Sequence, residues 1–365
     1  MKKKTWILYL AVGLALVAFV LYARHRINFN WAVFIEQLRL ANYSMIGLGV
    51  ALISFGYIVR AVRWSLFLKP IHKVRFFSRD WFHVLAAQVI GYAGVALLGR
   101  AADLVRPYLV ARRLKLDLSS QLAVYVVERM FDFGAMACIF SAVLFLAPGR
   151  ASLPHHREFK VAAEIVLGFT AGLAIAATAI RFSGKTVAAL AQKILGKLSQ
   201  SLGATVSDKI LAFREGLEML ASPRDIASAA LFSLFMWGLI TYAYLVSIRA
   251  FVDSPHLHNS SLGLCVVLMA VGMAVSVVQL PVVGWFTQIA GLTYAIQQIY
   301  GAAWEPALGC SAVLLIVTFL CVIPTGLIWA HFDHVSLRKV SEESEEAGTH
   351  IGVESLTPPE PAAEP

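Results

Sequence analysis

Hydrophobic positions in this chain come in long runs, not in the short amphipathic stripes of a water-soluble fold. Residues 6–22, 45–68, 119–147, 161–180, 226–252, 262–280 and 307–330 are nearly continuous apolar stretches. Each approaches or exceeds the roughly 20 helical residues that cross a ~30 Å hydrocarbon core. Two further runs are interrupted. Residues 81–98 contain Gly91 and Gly94 and meet Gly99 at once, and residues 282–300 follow Pro281 and carry Gly284, Gly291, Gln288, Gln297 and Gln298. The pattern predicts an all-α, polytopic transmembrane helix bundle of about eight spans, with one or two re-entrant or broken helices. Non-helical backbone at membrane depth is tolerated only where it packs in protein or faces water. A pair of broken segments in the two halves of a chain points to a central, transporter-like site.

Composition agrees. Hydrophobic residues make up 59% of the 365 positions and charged residues 15%, with a mean hydropathy of +0.71, against about 45–50% and about 25% for a soluble domain. The net charge is +9, and it is unevenly placed. Residues 341–365 hold seven Glu, four Pro and no Lys or Arg, so the chain divides into a membrane domain, 1–340, and an acidic tail, 341–365, expected to be disordered.

Basic residues set the expected topology, because they accumulate on the cytoplasmic side. Lys2, Lys3 and Lys4 place the N-terminus in the cytoplasm and the protein in the cell membrane as a multi-pass chain. The first run is too long for the apolar core of a signal peptide and lacks a small-residue cleavage site, so it is read as a retained span. A full crossing at 81–98 would put Arg112, Arg113 and Lys115 outside, so a re-entrant or broken helix is expected there. Residues 181–224 carry Lys185, Lys193, Lys197, Lys209 and Arg214. Their apolar positions Val187, Leu190, Ile194 and Leu198 recur at helical spacing, as in a helix lying on the inner leaflet. Basicity of this kind is no argument for nucleic acid, since no soluble domain is large enough to present it.

Several apparent motifs lack their context. Ser183-Gly184-Lys185-Thr186 ends like a phosphate-binding loop, but Ala179 stands where its first glycine belongs. The histidine pairs at 155–156, 256–258 and 331–334 lack a third metal ligand. Cys138, Cys265, Cys310 and Cys321 sit in apolar runs without zinc spacing, as small core residues do. No cofactor or metal is expected.

The charges within apolar runs carry the chemistry. Gly99-Arg100-Ala101-Ala102-Asp103-Leu104-Val105-Arg106-Pro107-Tyr108 is followed by a run holding Glu128-Arg129-Met130-Phe131-Asp132. Such charges are costly at membrane depth, so they pair, line a wet cavity or handle a charged substrate. On a helix Glu128 and Asp132 share a face, with Arg129 about 100° round. Arg60 and Arg63 lie three apart ahead of Trp64, and Pro107 suggests a helix break beside Arg106. Two readings stand side by side. In one the charges satisfy each other and fix helix packing, with Arg60 and Arg63 snorkelling at a helix end. In the other Arg60, Arg63, Arg100, Arg106 and Arg129 hold a phosphate through their fixed donor forks. Asp103, Glu128 and Asp132 then orient them or meet a headgroup amine.

These segments, in this order and spacing, resemble the lysylphosphatidylglycerol synthase transmembrane region, also called the flippase-like domain family. The carriers are Tyr57 to Trp64 with Arg60-Ala61-Val62-Arg63-Trp64, then Gly99 to Tyr108, then Val127-Glu128-Arg129-Met130-Phe131-Asp132. Leu280-Pro281-Val282-Val283-Gly284-Trp285-Phe286-Thr287-Gln288 extends the similarity over nearly all of residues 1–340. Asp103 stands where the family commonly has Glu, and Trp285, Phe286 and Gln288 replace a stretch usually richer in glycine. Full-length synthases append an aminoacyl-transfer domain, which these residues do not encode.

The resemblance implies a stand-alone membrane protein that binds and translocates a lipid or lipid-linked anionic substrate. The substrate-binding residues would be Arg60, Arg63, Arg100, Asp103, Arg106, Glu128, Arg129 and Asp132, with Glu128 and Asp132 as candidate proton carriers. The alternatives are a membrane-embedded transferase of lipid or glycolipid synthesis, or a partner subunit of a separately encoded synthetase or glycosyltransferase. Membrane lipid is the expected partner, and nucleic acid is not.

Overall fold

The computed structural model describes residues 29–146, 156–197, 199–218, 222–276 and 283–354. The apolar run at 6–22 lies outside them. The described residues form helices, with no strand among them. In chain order these are α1 (Trp31–Leu40), α2 (Tyr43–Leu68), α3 (Arg79–Leu98), a 3-10 turn (Gly99–Leu104), α4 (Val105–Leu114) and α5 (Leu118–Leu146). Then come α6 (His156–Leu195), α7 (Gln200–Glu218), α8 (Pro223–Arg249), the short α9 (Pro255–His258) and α10 (Leu262–Val275). The last are α11 (Val283–Tyr300), α12 (Trp304–Leu315), a π turn (Ile316–Leu320), α13 (Val322–Phe332) and α14 (Leu337–Glu354).

Four described stretches are long and apolar enough to cross a membrane: Tyr43–Leu68, Arg79–Leu98, Arg224–Arg249 and Trp304–Phe332. At 1.5 Å per residue, the 26 residues of α2 reach about 39 Å. Local chemistry sets where these helices begin. Asn42, Ser78 and Ser222 each cap a helix by accepting a bond from a first-turn N–H, at Met45, Trp81 and Asp225 respectively. Pro223 occupies the first helical position of α8, where its missing N–H costs nothing. Lys69 Nζ reaches Asp225 at 2.9 Å, tying the end of α2 to the start of α8.

The core lies among α2, α3, α4, α5, α8 and the helices after residue 262. Helix α2 packs along α8, and α3 lies against α13. The second pairing is close because Gly326 has no side chain: a Cβ there would collide with that of Ala93 and stand 3.0 Å from the Val89 carbonyl. The outward faces remain apolar, with Leu48, Phe55, Leu231, Phe235, Ile316 and Ile328 all exposed. An apolar surface of this kind suits a bundle whose solvent is lipid.

The breaks fall elsewhere than expected. Helix α3 runs unbroken through Gly91 and Gly94 and ends at Gly99, whose φ of 75° is the left-handed region that glycine enters without strain. The chain turns through Gly99–Leu104 and folds back as α4 against α3. Pro107 sits in the first turn of α4, where proline is tolerated, so the break precedes it. Helix α11 is likewise continuous from Val283, while the π turn at Ile316–Leu320 interrupts a run expected to be regular. The predicted surface stretch is an extension of α6 past a kink at Ser183, followed by α7 packed against it. Its Leu190 and Ile194 are exposed. Of the cysteines, Cys265 and Cys310 are core residues, but Cys138 faces outward.

The acidic segment begins within a helix. Helix α14 spans Leu337–Glu354, so the boundary at residue 340 falls inside a helix. Val340, Ser341 and Ser344 are buried, and Glu343 accepts from the Tyr108 hydroxyl at 3.0 Å and lies 3.5 Å from Arg112. Acidic composition alone suggests disorder, but a basic face to dock on supplies the missing contacts. Residues 355–365 lie outside the described part.

Candidate functional site

Three helix faces meet around the intramembrane charges. Helix α2 turns Gly56, Tyr57, Arg60, Arg63 and Trp64 inward at spacings of three and four. Helix α5 does the same with Gln121, Tyr125, Glu128 and Asp132, and α3 with Gln88, Gly91, Tyr92 and Val95. Helix α4 of the fold-back brings Arg106 to the same place. Gly91 makes this possible: a Cβ there would collide with Arg106 Cγ.

The result is a closed ionic cluster. Arg63 Nη2 donates to Glu128 Oε1 at 2.7 Å, and its Nη1 donates to Asp132 Oδ1 at 2.6 Å and to the Ser233 hydroxyl of α8 at 2.7 Å. Arg106 Nη1 donates to Glu128 Oε2 at 2.9 Å and to Gln88 Oε1 at 3.0 Å. Arg129 Nη2 lies 3.3 Å from Glu128 Oε2 and 3.0 Å from Asp132 Oδ2. Arg60 Nη1 stands farther off, 3.9 Å from Asp132 Oδ2. Aromatic rings pave the cluster. The Arg106 guanidinium lies 4.5 Å from the Tyr92 ring centre and 5.3 Å from that of Tyr125, and the Trp64 indole donates to Gln121 at 3.2 Å.

The arginines divide into two groups. Arg63 and Arg106 are fully buried and spent on carboxylates. Arg60 and Arg129 keep 12% and 31% of their side-chain surface, and both line a cavity of about 180 Å³. Its other walls are Ile53, Gly56 and Tyr57 of α2, Tyr92 and Val95 of α3, and Asp103 of the 3-10 turn. Met236 and Ile240 of α8, Thr318 and Phe319 of the π turn, and Val322 complete it. One side of the cavity is thus cationic and phenolic, and the other is apolar.

Four guanidinium groups against Glu128, Asp132 and, at the cavity edge, Asp103 leave a local excess of one positive charge. In a low-dielectric interior an unmatched charge is expensive, and a bound anion offsets it.

Of the residues expected at the site, Arg60, Asp103 and Arg129 face the cavity. Arg63, Arg106, Glu128 and Asp132 stand behind it as its support. The backbone of Arg100 belongs to the 3-10 turn, and its side chain lies outside the described residues. Glu128 and Asp132 point at arginines and not into the cavity. Sequence reasoning missed Tyr92, Gln88 and Ser233. Gln88 and Tyr92, four apart in an otherwise apolar helix, were a usable signal; Ser233 had none, being one small hydroxyl among many. Trp285, on the second interrupted segment, donates its indole N–H to the Ala96 carbonyl at 2.9 Å, joining the two segments directly.

With this geometry in view, comparison with known proteins gives one result. The model of the family described as "Lysylphosphatidylglycerol synthase TM region" matches residues 6–330. The chain belongs to that family and is a transmembrane protein of its class. No curated protein matches significantly. No solved structure does either.

Proposed function

We propose that the protein binds an anionic lipid headgroup in the cavity beside Arg60 and Arg129 and carries it between the leaflets of the cell membrane. The observation that carries this reading is the cationic excess beside a cavity whose other wall is apolar. A phosphate can answer the excess while acyl chains stay in lipid. Arg63 and Arg106, locked to Glu128 and Asp132, act as the frame that aims the two exposed arginines. Asp103, on the turn at the cavity edge, is placed to meet a cationic group on the same headgroup.

The rest of the reading follows the charge pattern: about eight crossings, a cytoplasmic N-terminus, and membrane lipid as the partner. Movement is driven by a gradient or proceeds as passive exchange.

The test is reconstitution into liposomes with fluorescent phosphatidylglycerol, phosphatidylcholine and lysyl-phosphatidylglycerol, with leaflet exposure read by quenching. Wild-type protein is expected to move an anionic or lysyl-modified lipid, and Arg60→Gln with Arg129→Gln to abolish the movement. Unchanged transport by the double variant would sink the assignment of the site. No movement of any lipid by folded protein would favour a transferase or partner-subunit role.

A further inference from the structure

Tyr92 occupies an unusual position between the two arginines of the cavity. Arg60 Nη1 donates to its hydroxyl oxygen at 2.6 Å, and Arg129 Nη2 does so at 3.3 Å. Its ring lies 4.7 Å from the Arg60 guanidinium and 4.5 Å from that of Arg106. The hydroxyl is therefore held by donors on two sides, which consumes its capacity to accept. Its own O–H proton meets no acceptor among the described residues, and the residue lines the cavity.

The neighbouring donors are in the same condition. Nε and Nη2 of Arg60 and Nη1 of Arg129 make no hydrogen bond among the described residues. Arg60, Tyr92 and Arg129 together turn donors on the cavity, two guanidinium edges with a hydroxyl between them, while Asp103 stands on the turn at its edge. A ligand oxygen that meets all three must accept repeatedly and carry no proton of its own. A phosphodiester oxygen does this, whereas an alcohol oxygen carries a proton of its own toward those donors.

We propose that Tyr92 is a specificity-determining residue of the headgroup site, donating its O–H to a phosphodiester oxygen and so selecting phosphate over neutral polar headgroups. This rests on the headgroup-binding reading above but not on transport. The arginines supply attraction to any anion. Tyr92 fixes where the oxygen sits, because its hydroxyl is aimed by both of them.

The experiment is equilibrium binding of two probes to the purified full chain in micelles: dihexanoyl-phosphatidylglycerol and dihexanoylglycerol, which lacks the phosphate. Wild type is expected to prefer the phosphate probe. Tyr92→Phe keeps the ring under Arg60 and Arg106 and removes only the hydroxyl. It should weaken the phosphate probe by about ten- to a hundredfold, as loss of a hydrogen bond to a charged group does, and leave dihexanoylglycerol unchanged. In an Arg60→Gln background, which releases the hydroxyl, Tyr92→Phe should cost no more than about twofold. Should Tyr92→Phe fail to fold, Arg60→Gln alone must show the phosphate-selective loss.

Unaltered phosphate binding, an equal loss for both probes, or a wild type without preference for phosphate overturns the assignment. The two proposals fail separately. Protein that binds the phosphate probe selectively through Tyr92 but never moves lipid removes transport and leaves Tyr92 its role.

Discussion

Glu128 is the carboxylate on which the cluster turns, and Glu128→Gln gives the sharpest prediction. The substitution preserves shape while removing the charge that faces Arg63 at 2.7 Å, Arg106 at 2.9 Å and Arg129 at 3.3 Å. Arg60, Arg63 and Arg129 then share Asp132, and Arg106 is left with no carboxylate partner. Removing one partner from a buried ion pair costs about 3–5 kcal/mol, because the remaining charge stays desolvated. The lower figure is the better expectation here, since the glutamine carbonyl still accepts one bond and Asp132 keeps Arg63 at 2.6 Å.

The assay is equilibrium unfolding of purified protein in mixed micelles with a denaturing detergent. Glu128→Gln, Arg106→Gln and the double variant complete a cycle. Arg106→Gln removes one of the charges that Glu128→Gln orphans, so the double variant should lose less than the sum of the singles, with a coupling of about 1–3 kcal/mol. A Glu128→Gln protein within about 1 kcal/mol of wild type, or strict additivity, would refute the reasoning.

Arg60 and Arg63 should separate function from stability. Arg60→Gln, whose nearest carboxylate is 3.9 Å away, should cut lipid transport in the liposome assay while shifting unfolding by about 1 kcal/mol or less. Arg63→Gln should shift unfolding by about 3 kcal/mol or more in the same micelles, since it leaves Asp132 and Glu128 without their shortest partner. Gly91→Ala should displace Arg106 from Glu128 and Gln88 and destabilise by about 2 kcal/mol, with transport lost even in the folded fraction. Glu343→Gln should release α14 locally: limited proteolysis within Leu337–Glu354 should speed up, while global unfolding moves by about 1 kcal/mol or less.

The helical bundle and the participants in the cluster were legible because charge inside an apolar run is conspicuous. Glu128, Arg129 and Asp132 announce themselves at their spacing, and Arg60 with Arg63 nearly so. The division of labour among the arginines was not legible. Whether Arg63 or Arg60 faces the cavity depends on helix rotation and on α8, whose Ser233 caps one guanidinium from a position no local pattern marks. Gly91 was read as an interruption of a helix. Its actual use is to admit the Arg106 side chain, a tertiary contact invisible to any count of glycines. The contacts of α14 were hidden for a related cause. Its acidic residues look unpartnered until the basic fold-back at Arg112 is placed beside them.

The docking of α14 has a consequence for how the protein is made. The 3-10 turn Gly99–Leu104, which carries Asp103 to the cavity edge, packs against α14. A chain emerging from the ribosome has all its intervening helices before Leu337 appears. The turn packs first against α3 and α4, and the acidic helix adds its contacts last. Insertion into the membrane and completion of the cavity edge at Asp103 are then separable events. A reporter or affinity label fused at Asp333 would yield an inserted protein whose turn lacks the α14 contacts, while one joined beyond Glu354 would leave them in place.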